Sequence, residues 1–140
     1  MIGYLIVSHY QLADEFLRAL QLIQGKLGHF RAIGLDPSAP PEEMRSRIEK
    51  ALKGVDRGDG VLMLVDMFGG TPSNLCLAFL EDGRVEVVTG LNLPMLVKLA
   101  GLKDGHSLHE AAEIARDYGR RNISVASDIL TGAEPAEDGS

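Results

Sequence analysis

The chain has 140 residues, 45% of them hydrophobic, which supplies one buried core and is too little for two full domains. Its formal net charge of -6, with no basic cluster longer than Arg120-Arg121, excludes a nucleic-acid surface or an anionic membrane as the partner. No apolar run approaches the roughly 20 residues of a membrane-spanning helix, and the opening MIGYLIVSHY lacks the basic flank and cleavage site of a signal peptide, so the expected location is the cytoplasm.

Ile2 to Val7 is an almost wholly apolar run with β-branched residues, as expected of a strand buried on both faces of a parallel sheet. Leu12, Phe16, Leu20 and Ile23 then recur at helical spacing, and Gly25 and Gly28 stop that helix. Phe30 to Leu35 reads as a second strand, and Pro40-Pro41-Glu42-Glu43 opens a helix with Met44, Ile48 and Leu52 on one face. Val61 to Val65 is the third and most apolar strand. Asp66-Met67-Phe68-Gly69-Gly70 leads from it to Thr71-Pro72, read as an N-cap followed by a helix-starting proline, with the helix running to Phe79 or Leu80. Within that helix the single cysteine, Cys76, reads as a small buried apolar side chain, which excludes an intrachain disulfide.

Asp82-Gly83 marks a turn and Val85 to Thr89 a fourth strand, after which Gly90-Leu91-Asn92-Leu93-Pro94 leads into a short helix ending near Gly101. Ser107 and Glu110 form a capping box for a further helix that Gly119 is expected to close. Ile123 to Ala126 reads as one last strand, and Gly132 to Ser140 as a disordered acidic tail. Strands alternating with helices imply a doubly wound α/β fold, a four-stranded parallel sheet with helices on both faces, occupying residues 1–131 as one domain. In such a sheet the site lies at the carboxyl ends of the strands. Ser8-His9, Asp66 to Thr71 and Gly90 to Pro94 therefore share one end of the molecule.

His9, at the junction of the first strand and the first helix, carries a nucleophilic neutral imidazole. Phosphorylation would make it an anion that helix N–H groups and the helix dipole stabilise. By position alone it reads more readily as an ordinary loop residue. Asp66 ends the most apolar strand, where an unpartnered carboxylate is expensive. A bond from one ring nitrogen of His9 would fix the tautomer and leave the other nitrogen free, although Asp66 also fits a turn or cap. Gly69-Gly70-Thr71 brings unobstructed backbone and a hydroxyl toward a ligand, an anion cradle in outline or an ordinary tight turn. Neither GxxxxGK[ST] nor GxGxxG occurs, so nucleotide binding has no support. His29, His106 and His109 lack metal-ligand spacing and read as solvated, as does Arg120-Arg121.

LIVSH at residues 5 to 9, LVDMFGGTPSN at 64 to 74 and GLNLPML at 90 to 96 together resemble the IIA domain of the mannose family of the bacterial phosphotransferase system, over roughly residues 2 to 128. The resemblance implies that His9 is the phosphorylated histidine, Asp66 the aspartate that orients it, Thr71 the hydroxyl near the phosphoryl group, and Gly69 and Gly70 the loop beside it. It implies a phosphotransferase taking phosphate from the phosphocarrier HPr and passing it to a histidine of a IIB component, with no metal or nucleotide cofactor. It further implies a homodimer in which Ile123 to Ala126 crosses to the partner's sheet as an antiparallel edge strand. Tyr10 departs from the family's usual small residue after the histidine and bears on docking, and the tail resembles a linker with no IIB domain after it, which implies a separate IIB chain. A regulatory phosphoprotein is the alternative. A dihydroxyacetone kinase subunit is disfavoured by the Gly-Gly-Thr-Pro loop, and a flavodoxin-like binding module would tolerate loss of His9.

Overall fold

The computed structural model describes residues 1–132, so the expected tail lies outside the described residues except for Gly132. Four strands, β1 (Gly3–His9), β2 (Phe30–Leu35), β3 (Val61–Val65) and β4 (Val85–Thr89), form one parallel sheet in the order β2-β1-β3-β4. Helices α1 (Leu12–Gln24), α2 (Pro41–Val55), α3 (Thr71–Leu77), α4 (Leu93–Ala100), α5 (Leu108–Arg121) and α6 (Ala126–Leu130) complete the described chain.

Side chains on a strand alternate between faces, and the apolar runs of β1 and β3 feed two separate cores. Tyr4, Ile6, Leu62 and Leu64 pack with Ala13 and Leu20 of α1, Leu96 and Leu99 of α4, and Ala111 and Ala115 of α5. Leu5, Val7, Met63 and Val65 pack on the other face with Met44 and Ile48 of α2 and Cys76 of α3. β1 and β3, central and covered on both sides, therefore need a continuous apolar run where an amphipathic strand would alternate. β4 is half-buried throughout and leaves its outer edge open.

The chain starts at β1, winds out to β2, and returns past β1 to β3. The sheet's switch point consequently falls between the carboxyl ends of β1 and β3, where a crevice opens in folds of this kind. His9 closes β1, and Asp66 follows β3 directly. These two residues, 57 apart in sequence, meet because Val7 pairs with Val65.

Several expectations need correction. The face of α1 that enters the core is Ala13 and Leu20 with Phe16 and Leu17 beside them, whereas Leu12 and Ile23 are exposed. Thr71 is the first residue of α3, and Gly70 occupies the N-cap without a side-chain bond. α3 ends at Leu77. Gly119 does not close α5: the helix continues to Arg121, and Gly119 is buried where a Cβ would come within 2.8 Å of Met95 Cε. Ile123 to Ala126 is no strand within the chain. Residues 123–125 form no regular element and Ala126 opens α6, and among the described residues this segment pairs with no strand.

Candidate phosphoryl-acceptor site at the carboxyl edge of the sheet

Ser8, fully buried, organises the turn after β1. Gln11 leads into α1 without a side-chain cap, and the Ser8 hydroxyl accepts instead from the Ala13 N–H at 2.6 Å. The loop is held close to the sheet, where the Tyr10 N–H donates to the Leu35 carbonyl at 2.8 Å. Gly34 makes that approach possible, since a Cβ there would lie 1.8 Å from the Tyr10 carbonyl oxygen. Tyr10 sits at φ 47°, a left-handed conformation that costs a bulky residue on the order of 1 kcal/mol or more.

The His9 ring is 36% exposed and the Asp66 side chain 10%. Asp66 Oδ2 accepts both the His9 backbone N–H at 3.0 Å and a bond with ring Nδ1 at 2.8 Å, while Oδ1 accepts from the Met67 N–H at 2.9 Å. Burial pushes the Asp66 carboxyl up, but the His9 backbone N–H, the His9 ring and the Met67 N–H outweigh it and hold the carboxyl below its ordinary value. An ionised carboxylate only accepts, so Nδ1 carries the ring proton and Nε2 keeps its lone pair.

The loop after Asp66 closes on that free nitrogen. At Gly70 a Cβ would lie 3.3 Å from His9 Nε2, and the φ of 88° there is one that glycine adopts without strain. Ser73, fully buried in the first turn of α3, accepts the Gly69 N–H at 2.9 Å and ties the loop to the helix. Thr71 is half-buried beside it. Of the candidates read from sequence, the structure brings His9, Asp66 and Gly70 together, puts Gly69 on the same loop as Gly70 and makes Thr71 the first residue of α3. Ser8, placed at this end from sequence but given no role, and Ser73, which was missed, hold the two loops in place; a serine near the end of an apolar strand, or two residues into a helix after Gly-Gly, was the available signal.

Other reactive groups stand apart. Burial, and then the charge of Asp66, pushes the Cys76 thiol up to about 12, which keeps it protonated and unreactive. His109 sits in the first turn of α5, between Glu86 and Glu113. His29 packs edge-on to Tyr4 and Phe30 and is less solvated than its sequence context suggests. Tyr10, Leu12, Met67 and Phe68 are all exposed and flank the site in sequence on both loops. Among the described residues no helix is long and apolar enough to cross a membrane.

Comparison with known proteins gives this arrangement a family. The family model EIIA-man, described as the fructose IIA component of the PTS system, matches residues 3–116. The fructose-specific EIIA component of Bacillus subtilis is 27% identical over 131 residues, 93% of this chain and 90% of that protein. The mannose-specific EIIAB component of Escherichia coli K12 is 30% identical over 126 residues, which are 89% of this chain but 39% of that longer protein. Among solved structures, a PTS IIA protein associated with the fucose utilization operon of Streptococcus pneumoniae superposes with a TM-score of 0.80 at 28% identity, covering 92% of this chain and 96% of its own. A mannose/sorbose-specific IIA subunit from Enterococcus faecalis, at 24% identity and a TM-score of 0.78, shares the fold over 88% of this chain and 92% of its own. The chain therefore belongs to the mannose family of phosphotransferase-system IIA components, a phosphocarrier family.

Proposed function

We propose that this chain accepts a phosphoryl group on His9 Nε2 from phospho-HPr and passes it to a histidine of a IIB component, in the cytoplasm and without metal or nucleotide. The observation that carries the reading is the 2.8 Å contact between Nδ1 and Asp66 Oδ2, together with the approach of Gly70 to the opposite ring nitrogen. The Nε2 lone pair attacks phosphorus in line as the P–N bond of the donor phosphohistidine breaks, and the bond's electron pair returns to the donor ring. The His9 ring then carries Nδ1–H and a bonded phosphoryl group, and the Asp66 carboxylate offsets the positive charge that the ring gains. Onward transfer is the same displacement in reverse, so catalysis consists of positioning and charge stabilisation. Gly70, which approaches Nε2, and its sequence neighbours Gly69 and Thr71 are the groups proposed to hold the phosphoryl oxygens.

Incubation with phosphoenolpyruvate, enzyme I and HPr, followed by intact-mass analysis under alkaline conditions, should show a gain of one phosphoryl group, which the purified phosphoprotein, freed of phosphoenolpyruvate, enzyme I and HPr, should lose when the cognate IIB is added. No gain, with HPr shown to be phosphorylated, sinks the proposal. Thr71→Ala should slow transfer by a factor corresponding to about 1–2 kcal/mol, the worth of one hydrogen bond to a charged group. Wild-type rates in that variant would remove Thr71 from the site.

The same reading includes a homodimer. β4 presents an open edge beside a groove lined by Val87, Thr89, Met95, Ala112 and Arg120, while Ile123, Val125, Ile129 and Leu130 are exposed. An extended segment around 123–126, added antiparallel to β4 of a second copy, would cover both apolar surfaces and close the edge. Sedimentation should give a dimer for the full chain and a monomer for a chain truncated after Asn122. A monomeric full chain overturns the exchange.

A further inference from the structure

Among the described residues Tyr10 is the one non-glycine with a positive φ. Its backbone is fixed from several sides: the N–H bonds Leu35, the carbonyl accepts from the Ser8 hydroxyl at 3.3 Å, and Gly34 lies directly beneath that carbonyl. Glycine would satisfy that conformation without strain, yet the chain carries an aromatic ring there, and the residue is 65% exposed. The ring therefore contributes little to the core in return for the strain. A local rule broken without a folding gain points to function.

The surroundings indicate which function. Phe68, 72% exposed, and Met67, also exposed, lie on the loop that follows Asp66, and exposed Leu12 opens α1, so solvent-facing apolar residues flank both chain segments that carry the site. Transfer between two histidines requires the donor ring to reach Nε2, so the donor's surface must cover the residue next to His9. Exposed aromatics become anchors when such a surface closes over them. Asp14, exposed in the first turn of α1 just beyond Leu12, adds negative charge to the rim, whereas neighbouring Glu15 pairs with Arg18 at 3.2 Å.

Resting on the phosphocarrier reading above, we propose that Tyr10 is the docking residue for the phosphoryl donor. Its ring seats against an apolar patch beside the donor's phosphohistidine, a patch flanked by a basic residue that faces Asp14. The fixed backbone holds the ring ready before the donor arrives, which lowers the ordering cost of binding.

Steady-state phosphorylation of Tyr10→Gly by phospho-HPr, beside phosphorylation by phosphoramidate as a small donor that needs no docking, tests this. The KM for phospho-HPr should rise about tenfold or more, equivalent to about 1.4 kcal/mol. The rate at saturating donor and the rate with phosphoramidate should be retained, and the thermal midpoint should stay level or rise as strain is relieved. Tyr10→Phe, which keeps the ring, should keep the wild-type KM. An unchanged KM in Tyr10→Gly, or an equal loss with phosphoramidate, overturns docking and in the second case makes Tyr10 a positioning residue for His9. Failure of the wild-type protein to accept phosphate from phospho-HPr overturns the phosphocarrier reading and this proposal together.

Discussion

His9→Ala should abolish phosphate acceptance while leaving the fold intact. The ring is partly exposed at the end of β1 and fills no core position, and Asp66 Oδ2 keeps its bond from the backbone N–H of residue 9 when the ring is gone. The stability cost should therefore be no more than about 1–3 kcal/mol, that of one hydrogen bond to a charged group. Buried Cys76, its thiol pushed up to about 12, offers no substitute nucleophile. Intact mass after incubation with phosphoenolpyruvate, enzyme I and HPr, with circular dichroism as the control for folding, checks both halves. A variant that gains the same phosphoryl mass would move the acceptor elsewhere.

Asp66→Asn should reduce the rate of acceptance by up to roughly 10⁴-fold, the loss seen when an aspartate that orients a catalytic histidine becomes an amide. The amide can turn its NH₂ toward Nδ1, which drives the ring proton to Nε2 and blocks the lone pair. Rapid-quench phosphorylation measures the effect, and wild-type rates would reduce Asp66 to a turn residue. The same variant has a signature in stability. Because the folded Asp66 carboxyl lies below its ordinary value of 3.8, its contribution is fully present above that value and is lost as pH falls through the depressed one. Denaturant melts across that acid range should show a steeper loss for the wild type than for Asp66→Asn, and parallel curves would contradict the ion pairing.

The strands were legible because β1 and β3 are covered on both faces and so read as unbroken apolar runs, and Asp82-Gly83 and the Ser107–Glu110 box marked their neighbours' ends. The face of α1 was less so. Counting large side chains pointed to Leu12 and Ile23, whereas the helix meets the sheet through Ala13, a residue small enough for the close approach that Ser8 imposes. Ile123 to Ala126 has the composition of a strand, but pairing depends on an available edge, which local composition does not carry. At the site, the residue types pointed to His9 and Asp66, and topology alone could unite them. The roles of Ser8 and Ser73 escaped notice because a serine's role depends on which backbone N–H it meets, and that follows only from the assembled loops.

His9 and Asp66 are separated by 57 positions and belong to strands that pair only after the intervening β2 and α2 have been laid down. Closing so long a loop is among the slower events in folding a small domain. Until β3 docks on β1, the histidine has no carboxylate to set its tautomer and no Gly70 loop before its free nitrogen. On the proposed function, phosphate acceptance during synthesis or refolding switches on with the central strand pairing, and a nascent or partly folded chain should draw no phosphoryl groups from the donor.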